Sequence, residues 1–124
     1  MAVLRNLILT AALLGAFPTH AAADSEGFTF RYLGAVASKG ECSSRATAVY
    51  QAFQDQFGLL EIASSIDWAV TGFDLTADDY DATIVCPIEQ DVVAVSLIVY
   101  SVPGASGDKR DWIADKLQEF WELY

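Results

Sequence analysis

The chain is expected to fold as an α+β two-layer sandwich, two amphipathic helices against a mainly antiparallel sheet, in the order β-α-β-β-β-α. Three observations predict this. Residues 42–57 and 113–124 repeat apolar side chains at helical spacing. Four other segments alternate apolar and polar residues or run apolar throughout, as strands do. Short stretches rich in Gly, Pro, Ser or Asp separate all of them.

The first strand is read from Phe28, Phe30 and Tyr32 alternating with Thr29, Arg31 and Leu33. A small-residue connection follows, and Ser38 with Glu41 three residues later matches a helix capping box. Cys42, Ala46, Val49, Phe53 and Phe57 then form one apolar stripe that stops at Gly58, so the Cys42 thiol is expected to face the core. In residues 60–70, Leu60, Ile62, Ser64, Ile66, Trp68 and Val70 share one face of a second strand, with an interruption near Ser64-Ser65. That phase predicts a core position for Trp68. After an Asp-rich turn, Tyr80, Ala82, Ile84 and Cys86 define the inner face of a third strand, which Pro87 terminates. Residues 92–102 are apolar or small throughout, predicting a strand buried on both faces or central in the sheet. A Pro-Gly loop leads to the last helix, where Asp108 and Asp111 suit the first turn and Ile113, Leu117, Phe120 and Tyr124 form the apolar stripe. Trp112 and Trp121 border that stripe.

Residues 1–23 read as an export signal. Arg5 and the amino terminus supply positive charge, residues 7–17 an apolar run, Pro18 a break, and Ala21-Ala22-Ala23 the small residues before cleavage. The run falls short of the roughly 20 residues that span a bilayer, so no membrane insertion is expected after cleavage. The expected exported form is one small α+β domain, residues 24–124. It keeps six basic against 17 acidic side chains, a net charge of −11. Such a surface repels nucleic acid and anionic lipid and favours solubility or a cationic partner, a solvated surface without a partner being the commoner case. The sole histidine, His20, lies in the signal, so a histidine base, a Ser-His-Asp triad and an imidazole-ligated metal are excluded from the exported chain.

Cys42 and Cys86 remain, and in an oxidising compartment they are expected to pair as a structural disulfide. The expected strand layout resists this. A helix running one way, strand 60–70 returning and strand 80–87 reversing again would leave the two cysteines at opposite ends of the sheet. Their α-carbons must approach within about 7 Å. Either the helix crosses obliquely, or part of 59–66 is not strand, or the cysteines stay apart.

No motif assembles a catalytic, metal or cofactor site. Asp74, Asp78, Asp79 and Asp81 lack the spacing and glycine of a calcium loop and read as a solvated turn. Ser106-Gly107-Asp108-Lys109 matches the nucleophile motif of penicillin-recognising enzymes without its companions, and reads as a capping loop. A carboxylate pair acting on polysaccharide is the histidine-free hydrolytic chemistry left open. Trp112 and Trp121 are the candidate binding residues, since an aromatic face with a polar edge suits a partner or sugar surface.

An aromatic first strand, a cysteine opening the first helix, Ile84-Val85-Cys86-Pro87 turning into Val92-Val93-Ala94-Val95, and a closing amphipathic helix follow the export signal. Together they resemble small exported proteobacterial domains of uncharacterised function. The resemblance implies a bridged α+β fold in the periplasm or outside the cell and brings no active site. The expectation is a non-catalytic binding or accessory protein, without cofactor, for a cationic protein partner; the alternative is a small carboxylate-dependent polysaccharide hydrolase.

Overall fold

A computed structural model of the chain describes residues 27–66, 68–89 and 92–124. The export signal and its cleavage point lie outside the described residues, as does the turn at Gln90-Asp91. The described chain runs β1 (Gly27–Val36), α1 (Lys39–Phe57), β2 (Glu61–Ile66), β3 (Ala69–Phe73), a single 3₁₀ turn (Leu75–Ala77), β4 (Tyr80–Val85), β5 (Ile88–Glu89), β6 (Val92–Ser101) and α2 (Gly107–Leu123). This is the expected α+β fold.

The sheet is antiparallel throughout, in the order β1-β6-β4-β3-β2. β5 adds no width. It pairs β6 in the register that β4 has already set, Ile88 opposite Val93 as Val85 is opposite Ser96. The ladder is interrupted at Pro87, which has no N–H to donate. β6 is thus central, flanked by β1 on one side and β4 on the other, and its long apolar run was the sign of that position.

The helix ends follow from their sequences. Ser38 Oγ accepts the Glu41 N–H at 3.1 Å, and the Glu41 carboxylate reaches back to the Ala37 N–H at 3.0 Å. One otherwise unpaired donor of the first turn and the N–H just before the cap are satisfied in this way. Gly58 closes α1 with φ of 86°, a backbone angle that costs glycine little, and its N–H bonds the carbonyls of Phe53 and Gln54. Ser106 caps α2 by accepting the Lys109 N–H.

Both helices cover one face of the sheet. Cys42, Ala46, Val49, Tyr50 and Phe53 of α1 are buried against Val70, Ala82, Ile84, Val95 and Leu97. α2 contributes Ile113, Ala114, Leu117 and Trp121 to the same core. Its buried face is rotated from the expected stripe, because α2 rests on β1 as well as α1. Trp121 turns inward in consequence, and Tyr124 is exposed.

The second expected strand folds back on itself. β2 and β3 are an antiparallel hairpin, Ile62 opposite Gly72 and Ser64 opposite Val70. The Ser64/Ile66 irregularity in its register falls beside the interruption read from Ser64-Ser65. Trp68 consequently sits at the hairpin turn, 43% exposed, rather than in the core. Alternation carried it to the apolar face only for as long as the strand ran straight.

The hairpin also resolves the disulfide. One extra reversal sends β4 back toward the start of α1, which brings Cys86 to the end of the sheet that holds Cys42. The cysteines are bonded, with α-carbons 6.1 Å apart and both side chains fully buried. The Cys86 N–H also bonds the Trp68 carbonyl at 2.7 Å, tying the bridge to the hairpin turn. A bridge closing a loop of this length contributes about 4 kcal/mol through the unfolded chain.

Candidate functional site

The helices cover one face of the sheet, and among the described residues no helix lies on the other. On β1 the strand alternation sends Thr29 and Arg31 toward α2, where Thr29 donates to Asp111 and Arg31 pairs with Asp115 at 3.2 Å. Phe28, Phe30 and Tyr32 therefore point the opposite way. They are 64%, 50% and 59% exposed, and Tyr100, directly across from Phe28 on β6, is 43% exposed. Ile98 lies opposite Phe30. Three aromatic rings on one strand and a fourth beside them form an apolar band along the β1–β6 ladder. A soluble surface tolerates scattered apolar residues, but a contiguous aromatic row marks a contact surface.

Beyond this band the open face becomes polar. Asp81 stands opposite Tyr100, and Thr83 and Thr71 bond each other across β4 and β3 at 3.0 Å. Two carboxylates, Asp81 and Glu61, share the outward phase of this face. The six basic residues after position 26 belong to the helices or reach them. Arg31 meets Asp115, Arg45 donates to the Trp121 carbonyl, Lys109 pairs with Asp78, Arg110 donates to Thr29 and Ser101, Lys116 pairs with Glu119, and Lys39 opens α1. The open face is aromatic and acidic.

The two tryptophans proposed from the sequence are not brought together. Trp121 is 2% exposed, donates its indole N–H to the Leu33 carbonyl at 3.0 Å, and lies under the Arg45 guanidinium at 4.3 Å. Its role there is to fasten α2 to β1. Trp112 is 37% exposed and packs edge-on against Phe57 and Phe53 in the helical layer. Neither contributes to the aromatic band. The sequence reading missed Phe28, Phe30, Tyr32 and Tyr100 as a group, because alternation reveals that two faces differ without saying which one the helices cover. Arg31 and Thr29 opposite carboxylates spaced one turn apart on α2 are the signal that orients the strand.

The acidic loop is spent largely on itself. Asp81 accepts the Asp74 N–H at 3.0 Å, and Asp78 accepts from Thr76 and pairs with Lys109. Asp74, Thr76 and Ala77 hold φ of 50°, 64° and 58°, and the Thr76 N–H bonds the Gly58 carbonyl at 2.8 Å across the loop. Asp78 lines two shallow hollows, one with Leu59 and Asp74, the other with Tyr80 and Pro103. The hydrogen bond and charge of Lys109 hold its carboxyl below the usual range, contrary to what a general acid needs. Ser106 is occupied as a helix cap and Lys109 by Asp78, so the nucleophile motif is a capping loop. Among the described residues no three acidic or cysteine side chains are grouped to hold a metal ion, and no helix is long and apolar enough to cross a membrane. No protein family, no curated protein and no solved structure matches this chain.

Proposed function

We propose that this chain is an exported, non-catalytic binding domain of the periplasm or extracellular space, related to the small bridged proteobacterial domains it resembles, and that its helix-free sheet face docks on a cationic protein. The observation that carries the reading is the row of Phe28, Phe30, Tyr32 and Tyr100, held in the open by a sheet whose core lies entirely on its other side. Aromatic rings supply contact area at low entropic cost and attract Lys and Arg through their faces. The carboxylates of the same face, and the net charge of the chain, favour a basic partner. A buried disulfide suits an oxidising compartment and supports the export reading. The hydrolase alternative has no such support, since Lys109 holds the carboxyl of Asp78, which lines both hollows, below its usual range, whereas a general acid needs it raised.

The test uses residues 24–124 with the bridge intact. Basic proteins retained from periplasmic extract are identified, purified, and titrated calorimetrically against the wild type and a Phe30→Ser, Tyr32→Ser variant. The expected outcome is a partner whose affinity falls at least about tenfold with the variant, a loss of about 1.4 kcal/mol. Equal affinity for both forms, or binding that vanishes entirely at moderate salt, removes the reading.

A further inference from the structure

β1 is the longer edge of the sheet, and the hydrogen-bond phase decides which of its backbone groups point outward. The Cys86 N–H goes to the Trp68 carbonyl, so the neighbouring Val85 directs its own N–H and C=O toward β6. Carried across β6 by the register, this phase turns the backbone groups of Thr29 and Arg31 into the ladder and those of Phe28, Phe30 and Tyr32 outward. The ten residues of β1 hold three aromatic rings, no proline and one charged side chain, that of Arg31. Such a segment on an open edge is a template for copies of itself. β2, the opposite edge, has six residues, includes Glu61 and is irregular in register.

Arg31 covers the β1 edge. Its side chain leaves the strand on the helix side, yet Nη1 bonds the outward Phe30 carbonyl at 3.0 Å while Nη2 pairs with Asp115 of α2 at 3.2 Å. An added strand would bring its own N–H to about 2.9 Å from that carbonyl, into the space the guanidinium fills. Displacing the guanidinium breaks both of its bonds. Just beyond, the register shift between Tyr32 and Gly34 and the Trp121 indole on the Leu33 carbonyl end the regular edge.

We infer that Arg31, fastened by Asp115, is an edge guard that keeps β1 from pairing with β1 of a second copy of this chain. This role is independent of the proposed docking partner, since it concerns backbone groups at the edge rather than rings on the face. In an antiparallel pair centred on Phe30, Phe28 of one copy would stand opposite Tyr32 of the other, a favourable aromatic contact. The side chains of the open face thus favour a pairing that the guanidinium withholds at the backbone. Arg31 is also the single charge in an otherwise aggregation-prone segment, the place where a gatekeeper residue acts.

The experiment compares residues 24–124, bridge intact, with a double variant, Arg31→Thr with Asp115→Asn. Replacing Arg31 alone would leave Asp115 uncompensated and add repulsion, whereas the double variant removes one charge of each sign and leaves the net charge unchanged. Threonine keeps the strand preference. Sedimentation over a concentration series is expected to show a monomeric wild type and a double variant that dimerises at a concentration at least about tenfold lower. In the associated form the Phe28 and Phe30 amides are expected to gain protection from exchange. Arg31→Lys carries the same test in a chain with every charge retained, because a lysine paired with Asp115 has no second arm for the Phe30 carbonyl. Association with protected edge amides is expected there too. Variants as monomeric as the wild type overturn the guard. So does association that leaves these amides unprotected, which is pairing through the rings of the open face, and so does a wild type that is itself a dimer with these amides protected.

Discussion

The two faces of the sheet are built from the same five strands and differ in almost every other respect. The covered face meets α1 and α2 through Val70, Ala82, Ile84, Val95, Leu97 and Val99, all without exposed surface. The open face carries the larger rings, Phe28, Phe30, Tyr32 and Tyr100, and leaves them in water. Size and hydrophobicity alone would have assigned the faces the other way round. What separates them is the company of the intervening residues. Thr29 and Arg31 are polar yet lie under α2, because Asp111, Asp115 and Arg110 provide hydrogen bonds there. A buried polar group is tolerated where it is paired, and an aromatic row left in water is a candidate contact surface.

Substitutions on the two faces should therefore separate stability from binding. The largest effect belongs to the bridge on the covered side: Cys42→Ala with Cys86→Ala is expected to lower unfolding free energy by about 4 kcal/mol, read by urea denaturation beside the reduced wild type. Next is Gly72→Ala. An added Cβ would stand 2.8 Å from the Tyr50 ring, so overpacking of about 1–3 kcal/mol is expected in the same measurement.

Tyr50 tests the covered face by pH. Its hydroxyl is buried with no hydrogen-bond partner, and burial raises the phenol well above its ordinary pKa, partly opposed by the backbone of Ile84 and Gly72. With the folded pKa above the unfolded one, stability is intact below about pH 10. It falls above that as the unfolded tyrosine releases its proton first, by up to about 1.4 kcal/mol per pH unit. Tyr50→Phe should remove that part of the alkaline loss and be neutral or stabilising by about 1 kcal/mol near neutrality. Alkaline melting curves for both forms check the sign. The smallest effect is on the open face, where Phe30→Ser should change stability by about 0.5 kcal/mol or less while weakening partner binding. A loss of several kcal/mol there would mean that the ring is structural and would collapse the distinction between the faces.

Much of the fold was legible in local patterns. The stripe from Cys42 to Phe53 is buried as its spacing implies, and the Ser38–Glu41 cap forms. β6 is central, as an apolar run without polar relief requires. The hairpin within residues 60–73 was legible only as an irregularity, because no glycine or proline breaks residues 60–71 and both arms keep their alternation. Trp68 was misplaced, and the inward roll of the border residue Trp121 was not visible, for the same reason in two forms: periodicity gives a residue's phase within its own element and says nothing of how that element turns or rolls against its neighbours.

Composition and chain order by themselves determined the acidic balance, the absence of histidine after His20, the α+β class and the presence of two core-facing cysteines. These depend on counts and on interactions within a few residues. Tertiary structure decided that Cys42 meets Cys86, that Trp121 is a fastening rather than a surface, and that Phe28, Phe30 and Tyr32 face water. Each of those depends on the number of chain reversals and on which side of a sheet two distant helices settle. Both are set by packing across the whole domain, where one added hairpin inverts the ends and one helix rotation exchanges inside for outside.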